Sequence, residues 1–317
     1  MNKARIVKLI GGLYSFKDLK TGEVFEGYAK GKFRKMRVEK DSSFNKNITM
    51  KTKKDVKDII LSPKVGDLIY YTFESDQYMI TEITERQNEL QRPDVANVDQ
   101  VLLVFSAVRP DFSFNLLDKF LVILGYHELK PVIVVSKIDL IEKDALDALK
   151  IDLKFYEQFY NIHYVNSKQR IGIDTLEHIF NEKITILAGQ TGAGKSTLLN
   201  ALRPELKLKT QEISDALGRG KHTTRHSELY PFGGGYIADT PGFSKVDFEF
   251  HDHSILKEYF IDFKTYSDEC KFGHSCLHLS EPGCMVKKKI DEGQILESRY
   301  ESYTNFIEIL KTRKEKY

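Results

Sequence analysis

The sequence predicts a multidomain protein with an N-terminal all-β barrel, a central α/β domain and a C-terminal, mainly helical domain. Three observations support this fold class. Short alternating strands fill the first 85 residues, fully apolar strands then alternate with helical segments, and all three cysteines lie between Cys270 and Cys284. A chain of 317 residues is long enough for two or three cores. We predict domains at residues 1–85, 86–250 and 251–317.

Composition indicates a globular protein that does not enter a membrane. Hydrophobic residues make up 41% and charged residues 30% of the chain. No apolar run approaches the ~20 residues that span a bilayer. The N-terminus, "MNKARIVKLIGG", lacks the apolar core and cleavage site of a secretory signal. We therefore expect a cytoplasmic monomer, and the odd number of cysteines argues against a disulfide framework.

The charge is distributed unevenly along the chain. Residues 1–60 carry 16 Lys and Arg against 7 Asp and Glu, whereas the whole chain has a net charge of only +2. A basic N-terminal part on a mildly acidic body favours a polyanionic partner, most simply nucleic acid. A solvated lysine-rich face is the alternative interpretation.

The N-terminal part consists of short strands separated by turn-forming residues. Alternation is clear in "RIVKLIGGLYSF", "EVFEGYAKGKFRKMRVEK", "VGDLIYYTFE" and "QYMITEIT", a pattern typical of a small barrel. Residues 45–58 are polar and lysine-rich and predict a long loop, and residues 85–99 predict a linker.

The central part predicts a mainly parallel sheet. The segments "VLLVFSAV", "PVIVVSK", "IHYVNS" and "ITILAG" read as buried strands, and a helix is predicted over residues 114–126. Continuous apolar strands that alternate with helices are typical of βαβ units covered on both faces.

A phosphate-binding loop follows the strand "ITILAG". The stretch "GQTGAGKS" has the complete pattern G-x-x-x-x-G-K-S between a strand and an amphipathic helix. Its backbone N–H groups can wrap phosphates, Lys195 can reach the β and γ phosphates, and Ser196 can bind Mg²⁺. The candidate nucleotide-binding residues of this loop are Gly189, Gln190, Thr191, Gly192, Ala193, Gly194, Lys195, Ser196 and Thr197.

The stretch "YIADTPGF" predicts a second phosphate-sensing element. Asp239 ends an apolar strand and can hold Mg²⁺ through water, and the N–H of Gly242 can contact the γ-phosphate. A water-orienting Gln often follows such an element, but Phe243 stands here and cannot position water. We therefore expect slow intrinsic hydrolysis that a partner or another residue accelerates.

The segment "LGRGKHTTRHSEL" predicts a loop that closes on bound nucleotide. Thr224 is the candidate for a second Mg²⁺-binding hydroxyl, with Thr223 in reserve. His222 is a candidate catalytic residue that orients the attacking water, since an unperturbed histidine has a pKa near neutral pH. Two alternatives stay open for His222: a contact with a partner, or an ordinary loop histidine.

The tetrapeptide "SKID" at the end of a predicted strand is a candidate base-reading element. Asp139 can accept the two donors of guanine, N1–H and the 2-amino group, whereas adenine has no such pair. The aliphatic stem of Lys137 can cover the purine ring, and Ser136 stands where such elements usually have Asn. Ser167 and Lys168, in "YVNSKQRIG", are candidates for the second base loop.

A Cys/His cluster predicts a metal site in the C-terminal part. Cys270, Cys276, His278 and Cys284 are three thiols and one imidazole within fifteen residues, which suits a closed tetrahedral site for structural Zn²⁺. His274 is a fifth candidate.

The motifs occur in a rotated order. The base-reading strand and second base loop precede the phosphate loop, and "HTT" and "DTPG" follow it. With the barrel before and the Cys/His cluster after, the whole chain resembles the RsgA/YloQ/YjeQ family of circularly permuted bacterial GTPases. The resemblance implies an OB-fold RNA-binding domain, a permuted P-loop GTPase domain and a zinc-binding domain.

The resemblance also implies partners and an activity. It implies GTP and GDP as nucleotides, binding to the 30S ribosomal subunit with its 16S rRNA, and GTP hydrolysis stimulated by the subunit late in its maturation. "KGKFRK" (residues 30–35) lies where the family's OB-fold carries a basic stretch. Two other classes compete with this reading: a metabolic P-loop kinase or ATPase, and a non-catalytic RNA-binding scaffold.

Overall fold

The structure is a computed structural model that describes residues 2–31, 62–91, 94–206, 227–238 and 247–313. The chain divides into two compact units. The first unit contains residues 1–101, 175–187 and 196–243, and the second contains residues 102–174, 188–195 and 244–317. The predicted domain boundaries after residues 85 and 250 stay a prediction.

A closed five-stranded barrel forms the N-terminal part of the first unit. Its strands are β1 (Asn2–Ile10), β2 (Leu13–Asp18), β3 (Val24–Ala29), β4 (Leu68–Glu74) and β5 (Gln77–Ile83). They follow the order β1-β2-β3-β5-β4, and β4 pairs with β1 to close the ring. The predicted barrel is confirmed. The predicted loop over residues 45–58 lies outside the described residues.

Alternate side chains of the barrel strands point inward, as the sequence alternation predicts. Ala4 and Ile6 of β1 are fully buried, and Phe16 of β2 packs on Tyr71 of β4 with ring centroids 4.9 Å apart. The Tyr71 hydroxyl donates a 2.7 Å hydrogen bond to the buried Asp18, so this buried carboxylate has a partner.

The predicted linker over residues 85–99 has more structure than the sequence indicated. It contains a hairpin of β6 (Glu89–Gln91) and β7 (Asp94–Ala96), in which Leu90 and Val95 are buried. Val95 also forms a bridge to Val65, next to the barrel. The hairpin therefore depends on a contact between residues far apart in the sequence, which local composition does not reveal.

Six further strands lie in the described residues: β8 (Gln100–Ser106), β9 (Pro131–Ser136), β10 (Asn161–Tyr164), β11 (Ile184–Gly189), β12 (Ser227–Phe232) and β13 (Gly235–Ala238). In the first unit, β13 runs parallel to β11, and β12 lies antiparallel between β13 and β1. In the second unit the strand order is β10-β9-β8, with β9 and β10 parallel.

The strands β8 and β9 of the second unit are buried almost throughout, as continuous apolar runs predict. Helix α1 (Phe114–Tyr126) follows β8 and coincides with the predicted helix. It begins at Ser113, whose Oγ accepts a hydrogen bond from the N–H of Leu116 (3.3 Å). Helix α2 (Lys143–Tyr156) follows β9, and α3 (Lys195–Leu202) follows β11.

The C-terminal part is mainly helical, as predicted. It contains a 3₁₀ segment (His253–Tyr259) and the helices α4 (Ile261–Ser267), α5 (Met285–Asp291) and α6 (Glu297–Thr312). A buried apolar cluster joins these elements to α1, and its larger members include Phe248, Phe250, Phe260, Phe263, Tyr303 and Phe306. None of the helices in the described ranges has the length and apolar character to cross a membrane.

A buried cation fixes α6 to α1 and α4. The Arg299 guanidinium is 1% exposed and contacts Asp118 of α1 (2.6 Å) and Asp262 of α4 (2.5 Å). Tyr156, at the end of α2, donates a 2.8 Å hydrogen bond to Asp118. Burial raises the pKa of Asp118, and the positive charge of Arg299 opposes that rise. Four helices of the second unit thus meet at one charged centre.

Candidate nucleotide site and metal centre

The predicted phosphate loop connects β11 to α3, the strand–loop–helix context that the motif requires. Gly189 has φ +115°, and a Cβ there would lie 2.0 Å from the carbonyl oxygen of Val104 in β8. No other residue fits so close to a neighbouring strand. Gly192 and Gly194 also have positive φ, which lets the loop turn back on itself.

Lys195 stands at the end of the phosphate loop, and its side chain contacts the backbone of the loop. Its Nζ donates to the carbonyl oxygens of Gly189 (3.2 Å) and Gln190 (2.8 Å). Burial lowers the pKa of Lys195, because removal from water disfavours the charged ammonium. An anionic group in the loop would offset that cost, so this environment favours phosphate.

Gln190 braces the loop. Its Nε2 donates to the carbonyl of Asp111 (2.9 Å), its Oε1 accepts from the N–H of Ser106 (3.3 Å), and its own N–H donates to Val104 (3.1 Å). The polar groups of Gln190 thus hold the segment after β8 against the phosphate loop. This positioning role was not predicted.

Ser136 ties the end of β9 to the phosphate loop. Its Oγ lies 2.5 Å from the carbonyl oxygen of Ala193 and 3.2 Å from that of Phe105 in β8, and the residue is 3% exposed. A hydroxyl carries one proton, so it can donate to only one of the two carbonyls at a time. An Asn amide has two N–H donors, so Ser136 can make fewer such bonds than Asn could at this position.

Lys137, another predicted base-reading residue, lies against the same loop. Lys137 has φ +58°, donates from Nζ to the carbonyl of Arg109, and has its Cε 3.9 Å from the position of a Cβ on Gly194. Burial lowers the pKa of Lys137, the charge of Lys168 lowers it further, and that of Asp139 raises it. These three charged groups therefore lie within electrostatic reach of one another.

Asn166 shapes the second base loop, a role that the sequence reading missed. Its Oδ1 accepts hydrogen bonds from the N–H groups of Lys168 and Gln169, both at 3.1 Å. The residue is 1% exposed and pairs with Ile171 across the loop. This is an Asx turn, and the sequence signal for it was the Asn immediately before Ser167 and Lys168.

Some of the other predicted site residues lie in the described part of the chain and some do not. Thr191 and Gly192 are exposed, Thr197 is half-buried, and Ser196 is buried on the first turn of α3. Several predictions lie outside the described residues: His222, Thr223, Thr224, Asp239, Gly242, Phe243 and residues 32–35 of the basic stretch.

The structure brings the four predicted metal ligands together. The ligand atoms of Cys270, Cys276, His278 and Cys284 all lie within 4.8 Å of one another, and all four residues are buried. Nδ1 of His278 is 3.6 Å from Sγ of Cys270 and 3.4 Å from Sγ of Cys284. Metal–ligand bonds of ~2.0–2.3 Å give tetrahedral edges of roughly 3.5 Å, so the group fits a tetrahedral ion.

His274 is excluded from this group. Its side chain is 87% exposed and faces Asp268, with Nε2 3.6 Å from a carboxylate oxygen. Cys276 is a member of the group, and His274, the fifth candidate, lies outside it.

The hydrogen bonds of His278 prepare Nδ1 for a metal. Nε2 lies 3.1 Å from Oγ of Ser267, and that hydroxyl donates its proton to the carbonyl of Phe263 (2.8 Å). The hydroxyl must therefore accept from Nε2–H, which leaves a lone pair on Nδ1 facing the sulfurs. Burial, with a smaller effect from the charge of Lys257, lowers the pKa of His278 to about 4.

Burial raises the pKa of a thiol, whereas it lowers the pKa of an imidazole. Burial raises the pKa of Cys284 to about 12 and also raises the pKa of Cys276. A metal that binds thiolates must displace these protons, whereas His278 is already neutral at pH 7. The N–H of Met285 donates to Sγ of Cys270 (3.2 Å), a contact that favours negative charge on this sulfur.

The barrel, the phosphate loop, and the predicted base-reading elements that precede this loop in the chain define a circularly permuted P-loop GTPase, an enzyme that hydrolyses GTP. The model of the RsgA GTPase family matches residues 83–249. The chain belongs to this family.

Curated relatives match over nearly the full length. A protein of Onion yellows phytoplasma (strain OY-M) named "Small ribosomal subunit biogenesis GTPase RsgA" is 49% identical over 99% of both chains. A protein of the same name from Geobacillus kaustophilus (strain HTA426) is 41% identical over 100% of both chains.

Two solved structures resemble the chain as a whole. The crystal structure of "YloQ, a circularly permuted GTPase" has a TM-score of 0.79 and 35% identity, covering 100% of this chain and 97% of that one. YjeQ from Thermotoga maritima has a TM-score of 0.79 and 32% identity over 99% of both chains.

Metal uptake by the Cys₃His group should release protons from thiols and none from His278. We expect the metal-free protein to release at least two protons per Zn²⁺ bound at pH 7, from Cys276 and Cys284, because their pKa values are raised. Affinity should fall as the pH is lowered from 8 to 6. Indicator-dye titration in weak buffer measures both quantities.

Two variants control that measurement. Replacing the exposed His274 by Ala should leave metal affinity and proton release unchanged, whereas His278→Ala should remove tight binding. Proton release near zero, or equal effects of the two variants, would contradict this assignment of ligands.

Proposed function

We propose that this chain binds the 30S ribosomal subunit late in its maturation and hydrolyses GTP to GDP and phosphate with stimulation by the subunit. The observation that carries the proposal is identity of 41–49% over essentially the full length to relatives named as small ribosomal subunit biogenesis GTPases. A cytoplasmic, monomeric protein suits this role.

The nucleotide would lie along the phosphate loop with its base beside Lys137. Asp139 would pair with the two donor groups on the guanine edge, and Lys168 would lie on the other side of the base. Lys195 would exchange its carbonyl contacts for the β and γ phosphates. A magnesium ion held by Ser196, Thr224 and Asp239 would supply positive charge beside the phosphates.

Hydrolysis would proceed by attack of water on the γ-phosphate. The P–O bond to the β-phosphate breaks, GDP leaves, and the proton of the water passes to phosphate. Lys195 and the loop N–H groups would stabilise the charge of the transition state. Since Phe243 cannot orient water, contacts with the subunit would position His222 and Thr224 at the nucleotide.

The Cys₃His group would hold structural zinc. Three thiols and one imidazole are soft ligands that fill a tetrahedral shell and leave no position for a substrate. The metal would join the loop that contains Cys270 and Cys276 to the beginning of α5, and so stabilise the C-terminal part.

One outer face of the barrel suits contact with the phosphates of 16S rRNA. Arg5 of β1 lies opposite Lys17 of β2, and Lys3 of β1 lies opposite Tyr70 of β4. The Nζ of Lys3 is 6.0 Å from the centroid of the Tyr70 ring. The register and the alternation of strands place these four side chains on one face, where cations and an aromatic ring can meet an RNA backbone.

Replacing Ser136 should change nucleotide affinity. Ser136→Ala removes the bond to Ala193 and should weaken GDP binding by about 1 kcal/mol, roughly fivefold. Ser136→Asn, with two N–H donors, should bind GDP at least as tightly as the wild type. Titration of a fluorescent GDP analogue measures both affinities.

The matched control for this series is Ser15→Ala, a change on a barrel strand. It should leave GDP affinity unchanged. If Ser136→Ala bound GDP like the wild type, the brace between β9 and the phosphate loop would have no role in nucleotide binding.

Purified 30S subunits should accelerate GTP turnover by the full-length chain at least tenfold. Lys195→Ala should abolish turnover with and without subunits while the variant still co-sediments with them, because the barrel face is intact. Phosphate release under multiple-turnover conditions and sedimentation at low salt measure the two effects.

Three results would contradict the proposal. An unchanged rate with 30S subunits would overturn subunit stimulation. Equal displacement of a guanine nucleotide by ATP would favour the kinase or ATPase. Full biological activity of Lys195→Ala would favour the non-catalytic scaffold.

A further inference from the structure

Lys257 is a buried cation beside the Cys₃His group. It lies in the 3₁₀ segment His253–Tyr259 and is 5% exposed. Its Nζ donates hydrogen bonds to the backbone carbonyls of His274 and Cys276, the latter at 2.9 Å. In the described part of the chain no carboxylate forms an ion pair with Lys257. A buried ammonium with only carbonyl partners is unusual, because burying an unpaired charge is costly.

The metal-loaded group would carry the opposite charge. Three thiolates and a neutral imidazole around a divalent ion have a net charge of −1, and all four ligands are 0–6% exposed. The hydrogen bond from Nζ to the carbonyl of Cys276, one of the four ligand residues, places the ammonium beside this group. The cation and the loaded group would therefore neutralise each other in a buried region where screening by solvent is weak.

We propose that Lys257 is a positioning residue for the metal, whose ammonium compensates the negative charge of the loaded Cys₃His group and holds the 274–276 backbone in the geometry that places Cys276. The proposal rests on metal occupancy of this group. Lys257 would therefore stabilise the metal-loaded protein, whereas in the metal-free protein its buried charge would be destabilising.

A series of variants separates charge from hydrogen bonding. Lys257→Gln keeps an N–H donor and removes the charge, Lys257→Met removes both, and Lys257→Arg keeps both. We expect Gln and Met to weaken Zn²⁺ binding by about 10–100-fold, the range typical of partners just outside the ligand shell, and Arg to retain affinity within about threefold. The matched control is Lys264→Met, an exposed lysine on α4, which should bind like the wild type.

The metal-free state provides the readout that a merely structural lysine would not give. Urea unfolding of the full chain should show that Lys257→Gln destabilises the Zn²⁺-loaded protein and leaves the chelator-treated protein unchanged or more stable. Competition with a chelator of known affinity gives the Zn²⁺ dissociation constants of the same proteins.

The outcomes are distinguishable. Equal destabilisation of the loaded and metal-free proteins, or wild-type Zn²⁺ affinity in Lys257→Gln, would overturn the role of the charge. Failure of the wild type itself to bind Zn²⁺ tightly would instead overturn zinc occupancy, which belongs to the proposed function.

Discussion

One hydroxyl proton, that of Ser136, connects the strand that ends in the base-reading element to the loop that precedes α3. Its close contact with the carbonyl of Ala193 depends on two other features: Ser136 lies next to Phe105 at the end of β8, and Gly189 fits against Val104 of the same strand. Gln190 adds a second tie, to the segment after β8. The proposed nucleotide site therefore depends on three strand ends that meet, and not on the order in which the chain visits them.

Because the motifs occur in a rotated order, the C-terminal part follows directly after the predicted DTPG element. Residues 247–250 follow the predicted DTPG element, and Phe248 and Phe250 are buried in the same cluster as α1 and α6. Arg299 binds Asp118 of α1 in that region. The C-terminal helices and α1 thus share one core and one buried charged centre, which explains why the Cys₃His part packs as a continuation of the second unit and not as an appendage.

The features that could be predicted from the sequence are those that depend on residues close together in the chain. The helix over residues 114–126 has its own N-cap at Ser113, and the four metal ligands lie within fifteen residues, so both could be read from the sequence. The hairpin that contains Val95, the bracing role of Gln190 and the compensating charge of Lys257 all depend on partners distant in the chain. No periodicity or motif encodes such partners, because the pairing exists only after folding.

The most direct test of the proposed nucleotide site is whether Asp139 recognises the guanine base. Xanthine has a carbonyl where guanine has its 2-amino group, so an Asn side chain, which both donates and accepts, suits xanthine as a carboxylate suits guanine. Competition binding should show at least a 100-fold preference of the wild type for GDP over the xanthosine nucleotide, and a reversed preference in Asp139→Asn. An unchanged preference in the variant would contradict the assignment of this strand end as the guanine site.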